Sequence, residues 1–344
     1  MKINATAAKE KLPRYNHIVP KFILEKFSDN GKLSIFDKHT LRQFKLPTYR
    51  AMGEKDFNNV HIDGGVLSFE QKFTHIEDQA APIIAQIVQQ KSLASLRPMD
   101  EAILHTFVVV QLLRSKRRRL DQAAVGAEIK RRWPEVDLNP LKERMADEEY
   151  DKFFALEMTF SKLGDLTSNL FPKHSYLMIK DCGGELYISD NPMVMHNSKQ
   201  YGPYGNIGLG VPHIEIYHPL SHEVVLAYMC PLTMREMEEK LKSSEIDVNS
   251  YFSRKFMSPK GLSTADRLKI EQCRTEIRRE KTRYALIKDE RLLPLNSENL
   301  LFLNSLQVMN SFRYLACRKN DFHFATKALS ERPHWKEGLG IKIG

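Results

Sequence analysis

Residues 184–195 read Gly-Glu-Leu-Tyr-Ile-Ser-Asp-Asn-Pro-Met-Val-Met, and no other stretch limits the fold so strongly. Leu186, Tyr187 and Ile188 favour a buried strand. That strand delivers Ser189, Asp190 and Asn191 and stops at Pro192, because proline cannot donate to a sheet ladder. Two readings stay open on these residues alone. Asp, Asn and Pro are turn-makers that satisfy their own backbone. A carboxylate at the end of a hydrophobic strand is also where enzymes hold a base or a metal ligand.

A chain of 344 residues can bury an ample core, in one large domain or two. With 42% hydrophobic and 28% charged residues it is neither disordered nor fibrous. Cys182, Cys230, Cys273 and Cys317 have no paired spacing, which argues against a zinc knuckle and fits free thiols in a reducing compartment. Residues 1–16 contain no apolar h-region, and the longest apolar run, Phe107 to Val110, is far too short to span a bilayer. A cytoplasmic protein with no membrane partner is the expectation. The formal charge of +9 favours polyanionic partners, nucleic acid among them, although a solvated basic face gives the same excess.

Taken in order, Phe22, Ile23 and Phe27 follow Pro20 at helical spacing, with His17 just ahead as a cap, a packed side chain or a catalytic group. Leu33 to Phe36 and Leu41 to Phe44 predict a β-hairpin after the turn dipeptide Asn30-Gly31. Ser68 and Gln71 have capping-box spacing, so a helix is expected from Ser68 to about Gln90, kinked or divided at Pro82. Glu70 and Glu77 share one face of it; Glu77 is either solvated or a buried acid. Asp100 is expected to cap the next helix, on which Gln111, Arg114 and Arg118 share a polar face beside the basic run Lys116 to Arg119. Arginine suits bidentate phosphate or carboxylate binding, so a buried Arg114 calls for an anion.

Further on, a helix is expected near 147–166, and Tyr176 to Ile179 with Leu186 to Ile188 predict a hairpin around Gly183-Gly184. The Gly-rich stretch 201–210 lacks a following Lys-Ser/Thr and reads as a connection or a lid rather than a phosphate loop. Strands are expected at Ile214 to Tyr217 and Val224 to Tyr228. Helices follow from Thr233, capped with Glu236, to about Ser243, from Ala265 to Ile287, and from Ser297 to Asn310, before a strand at Arg313 to Cys317. The fold class expected is α+β, predominantly helical, with a small, mostly antiparallel sheet built from hairpins.

Several of these residues also form an ordered set of motifs. His17, Pro20, Leu24 and Phe27, then Gly31 and Asp37-Lys38, resemble the opening of the bacterial and fungal family called domain of unknown function 4238. Asp56-Phe57 is similar to its next landmark, with Asn58 where a tyrosine is common. Glu70 and Glu77 resemble its glutamate-bearing helix, and Phe107, Gln111, Arg114 and Arg118 its F-x-x-x-Q-x-x-R-x-x-x-R helix, although Ser115-Lys116 replaces the usual threonine-proline. Ser189-Asp190-Asn191-Pro192 matches the S-D-N-P signature, and Asn304 and Arg313-Tyr314 its closing block. The resemblance implies one domain over 13–323, made of a part at 13–132 and a part at 174–323, between a polar arm at 1–12 and a tail at 324–344. It implies no established activity.

Chemistry must then be assembled from distant segments. The expectation is a metal-dependent phosphodiester hydrolase acting on nucleic acid, a defence or toxin effector. Asp190 and Glu77 would hold magnesium or manganese, and His17 would act as base. Gln111, Arg114, Arg118, Ser189 and Asn191 would contact substrate. One alternative is a binding module whose polar residues form a structural network. Another is a hydrolase or transferase acting on a nucleotide such as NAD, which keeps Arg114 and Glu77 and needs no metal.

Overall fold

In the computed structural model, residues 15–133, 145–201, 206–258 and 261–338 are described. The chain begins with strand β1 (Tyr15–His17), helix α1 (Lys21–Glu25) and the hairpin β2 (Lys32–Asp37) and β3 (Arg42–Pro47), followed by β4 (Gly53–Lys55), β5 (Asn59–Ile62) and β6 (Gly65–Ser68). Helices α2 (Glu70–Gln90), α3 (Pro98–Leu113), α4 (Lys116–Arg132), α5 (Asp147–Ser161) and α6 (Leu163–Ser168) come next. Then follow β7 (His174–Lys180), β8 (Ile188–Ser189), β9 (Val194–His196), β10 (Glu215–Pro219) and β11 (Val224–Met229). The chain continues through α7 (Pro231–Phe256), α8 (Thr264–Lys288), β12 (Leu292–Leu295), α9 (Ser297–Asn310), β13 (Tyr314–Cys317) and α10 (His323–Glu331). This is an α+β fold. Among the described residues, no helix is long and apolar enough to cross a membrane.

Two sheets organise it. One has the order β12-β7-β11-β10-β9, antiparallel except for the parallel β12–β7 pair, and the other the order β3-β2-β13-β8, antiparallel throughout. The main core lies between the five-stranded sheet and the apolar faces of α2 and α3, with Ile84, Ile87, Phe107 and Val108 packed with Leu177, Ile216 and Leu226. Burial of such side chains contributes about 1.5–3 kcal/mol each. A second cluster joins the four-stranded sheet to α9 and α10 through Phe36, Tyr187, Leu315, Phe322 and Trp335.

Several sequence expectations need correction. Tyr176 to Ile179 and Leu186 to Ile188 do not form a hairpin: β7 pairs with β11 and β12, and β8 pairs with β13 in the other sheet. Burial of both strands in separate sheets outweighs the short turn between them. Helix α2 passes undivided through Pro82, since a proline removes only one hydrogen bond, and its N-cap is Phe69 without a side-chain cap. Arg97 and Asn296, not Asp100 and Ser297, precede α3 and α9; Asp100 bonds back to the Arg97 amide at 3.0 Å. Helix α7 starts at Pro231 and runs well beyond Ser243, because α8 packs alongside it as an antiparallel partner.

The proposed tail is folded over its described residues, 324–338: α10 and a 3-10 helix at Pro333–Glu337 pack on the second cluster. The polar arm at 1–12, Pro134 and Pro140, and residues 202–205 of the Gly-rich stretch lie outside the described residues.

Candidate functional site

The candidate residues sort into two polar networks. The first surrounds Asp190, which is 4% exposed at the end of β8. Its Oδ1 accepts from the Phe312 amide at 2.8 Å; its Oδ2 accepts from the amides of Arg313 and Tyr314 at 2.8 and 2.9 Å. Both carboxylate oxygens are thus occupied by the backbone that leads from α9 into β13. Burial pushes the Asp190 pKa up, against the three amides and the nearby Lys38 ammonium, which draw it down. Lys38 is itself buried and donates to the carbonyls of Val308, Ser311 and Trp335, while burial lowers its pKa to about 8. Gly338, with φ +72°, lets the chain pass close to Ser311: a Cβ there would stand 2.8 Å from that carbonyl.

The neighbouring signature residues complete the same joint. Ser189 Oγ donates to Gln307 Oε1 at 2.7 Å, Gln307 Nε2 to the Pro192 carbonyl at 2.9 Å, and Asn191 Nδ2 to the Asn310 carbonyl at 3.2 Å. Asn304 holds both the Tyr187 amide and the Glu185 carbonyl. Arg313 grips Asp37 through Nε and Nη2, at 3.0 and 2.7 Å. Asp37-Lys38, Ser189-Asp190-Asn191, Asn304 and Arg313-Tyr314 therefore meet as a latch between strand ends and the end of α9.

The second network is built on the break between α3 and α4. Ser115 has extended backbone, φ −63° and ψ 146°, and its side chain accepts from the Arg118 amide, which starts a new helix. Arg118 therefore does not share a helix face with Gln111 and Arg114. Arg114, left at the end of α3, is 1% exposed; its Nη1 donates to the Glu77 carboxylate and its guanidinium lies over the Phe73 ring, 5.6 Å from the centroid. Its Nε and Nη2 are buried and have no partner among the described residues.

That pair of nitrogens is the guanidinium edge that other arginines of this chain use on carboxylates. Arg97 holds Asp100 with it at 2.9 and 2.9 Å, and Arg131 holds Glu128 at 2.8 and 2.6 Å. Gln111, one turn before Arg114 and also 1% exposed, leaves both amide atoms without a partner among the described residues, as does His17 at Nδ1; of the fully buried His218, one ring nitrogen faces the Pro192 carbonyl and the other has no partner among the described residues. His218 packs on Phe107 at 5.8 Å between ring centroids. Burial lowers the His218 pKa to about 4, with the Pro192 backbone opposing, and also lowers that of His17.

Glu77, with a side chain 23% exposed, and half-buried His17 form the more open side of this group. Glu70 has its pKa raised by burial, against a 2.7 Å hydrogen bond from Asn58 Nδ2 and the nearby Arg114. Asn58 also accepts from Arg119 Nη2 at 2.7 Å. Asn58 and His218 escaped the sequence reading. The signals available were a histidine between Tyr217 and Pro219 in β10 and an asparagine where a tyrosine is common.

The sequence profile of the family described as protein of unknown function DUF4238 matches residues 15–321. The chain belongs to that family. No curated protein and no solved structure matches it. Its motif residues thus divide between the latch and the Arg114 group, a division that the DUF4238 sequence pattern alone does not show.

The proposed metal pair does not fit an ion. Glu77 is engaged by Arg114 and Asp190 by backbone amides, and no group of three or more His, Cys, Asp or Glu side chains suited to a metal occurs among the described residues. The basic run is also turned inward. Lys116 pairs with Glu54, Arg117 with Asp121, and Arg119 with the Phe57 carbonyl and Asn58.

Two outcomes follow for this family member. Asp190→Asn sets an NH2 group or an uncharged oxygen against three amide donors, so it should cost about 2–3 kcal/mol in urea unfolding; an unchanged midpoint would contradict the latch. For His218, the folded pKa near 4 lies below the ordinary value of 6.5, so the unfolded chain takes up more protons between those limits. Its contribution is present above pH 6.5 and lost as pH falls toward 4, by roughly 3 kcal/mol. A His218→Asn variant should therefore show a shallower loss of stability from pH 6.5 to 4, and a slope equal to the parent's would contradict neutral burial.

Proposed function

We propose that this DUF4238 protein is a nucleotide-directed hydrolase or transferase that binds a phosphate group on the Nε/Nη2 edge of Arg114 and uses no metal ion held by Asp190. The observation that carries the reading is a buried guanidinium whose Nε/Nη2 edge is unpartnered among the described residues, although buried donors left unsatisfied are costly. A planar two-donor edge matches phosphate or carboxylate oxygens bidentately. Glu77 fixes the other side of the guanidinium. His17, whose pKa is lowered by burial, is suited to accept a proton as general base, and Glu70, whose pKa is raised, to donate one. Asp190, Ser189 and Asn191 are assigned to the frame. Four free cysteines support a reducing compartment such as the cytoplasm.

Nucleic acid is the competing substrate, supported by the net charge of +9. The inward engagement of Lys116, Arg117 and Arg119 favours a small ligand over a strand.

The test incubates purified protein with NAD, nucleoside mono- and triphosphates, DNA and RNA, with magnesium, manganese or EDTA. Nucleotide turnover should survive EDTA and fall roughly 100-fold in Arg114→Lys, which loses the bidentate edge. Turnover of DNA or RNA alone, abolished by EDTA, would overturn the reading in favour of a metal-dependent nuclease.

A further inference from the structure

The buried atoms around Arg114 that lack a partner among the described residues are not all donors. Arg114 offers Nε–H and Nη2–H, but Gln111 offers a carbonyl oxygen as well as an amide, and neutral His218, whose N–H faces the Pro192 carbonyl, offers one lone pair. Reversing the Gln111 amide does not change this count. A fully deprotonated oxyanion, such as a phosphate monoester dianion, carries acceptors only. It would satisfy the Arg114 edge and leave the Gln111 oxygen and the imidazole lone pair facing negative charge, a costly arrangement in a buried place.

We infer that the ligand presents hydroxyl donors beside its phosphate, as the ribose of a ribonucleotide does: the phosphate sits on Arg114, and sugar hydroxyls donate to Gln111 Oε1 and to His218. The inference rests on the Arg114 reading above and adds the sugar to it. Along α3 the order of groups suits this. Gln111 stands three residues before Arg114, about 4.5 Å along the helix axis. Phe107, which carries His218 on its ring, stands one further turn back. The sugar and its phosphate thus run along one helix face, entering past Glu77 and His17.

The probes are inorganic phosphate, ribose 5-phosphate and 2-deoxyribose 5-phosphate, titrated calorimetrically into the full chain. Ribose 5-phosphate should bind at least about tenfold more tightly than its deoxy analogue, because a site built for a hydroxyl rejects the analogue that lacks it. Gln111→Met, of similar shape but without polar atoms, should bring that ratio near one while keeping phosphate affinity. Equal affinity of the parent protein for all three probes would overturn sugar recognition and leave the phosphate reading standing. Binding of none of them would overturn both. A ratio that persists in Gln111→Met would overturn the role given to that residue, and the ratio in the parent protein decides the sugar question even if that variant does not fold.

Discussion

Everything around the junction of α3 and α4 is arranged about one buried positive charge. Arg114 is 1% exposed and carries five N–H donors, of which, among the described residues, one on Nη1 is engaged by Glu77 and those on Nε and Nη2 have no partner. Taking a guanidinium out of water costs several kcal/mol unless anions and acceptors surround it. The Phe73 ring beneath it recovers a part. Ser115 makes this placement possible: its extended backbone ends α3 at that point, turning the arginine into the group formed by α2, β1 and β10. The rest of the structure holds those elements in register.

The contrast with the Asp190 network gives Arg114 its meaning. Around Asp190, both carboxylate oxygens, the Lys38 ammonium and the side chains of Ser189, Asn304 and Gln307 engage partners within the chain. Asn191 Oδ1 apart, this buried network is satisfied, and such a network specifies a joint and holds it rigid. Around Arg114, both amide atoms of Gln111, Nδ1 of His17 and the ring nitrogen of His218 that does not face Pro192 remain without partners among the described residues. Buried polar groups are rarely left so, and a concentration of them at one helix end is the signature of a place that receives something. The latch braces the sheet-to-helix junction behind His218, through the Pro192 carbonyl that Gln307 also holds.

Much of the frame was legible because local patterns and burial agree there. Two short apolar runs after Asn30-Gly31 gave the β2–β3 hairpin; the runs Ile214 to Tyr217 and Val224 to Tyr228 gave β10 and β11; the alternating Arg and Glu from Ala265 to Ile287 gave α8. The failures lie where long-range pairing decides. Nothing local in Tyr176 to Ile179 announces a parallel partner at Leu292–Leu295, and Gly183-Gly184 imitates a hairpin turn although its two strands enter different sheets. In the site, Gln111 and Arg114 were readable as parts of one polar helix face, Glu77 as a helix acid either solvated or buried, and His17 as a histidine just ahead of α1. Asp190 was equally visible, but its exclusive use by backbone amides depends on where residues 312–314 fold, which no spacing near 190 encodes. Arg118 was misplaced because a regular helix was extended across Ser115.

The central claim is that the Nε/Nη2 edge of Arg114 receives an oxyanion. Side-chain 15N–1H NMR of arginine Nε groups observes that edge directly, with the Arg114 signal assigned by its loss in Arg114→Lys. Titration with ribose 5-phosphate should move the Arg114 Nε–H proton downfield in saturable fashion, while the Arg97 and Arg313 signals, already held by Asp100 and Asp37, stay in place. An Arg114 signal unmoved at saturating phosphate ester would contradict the account.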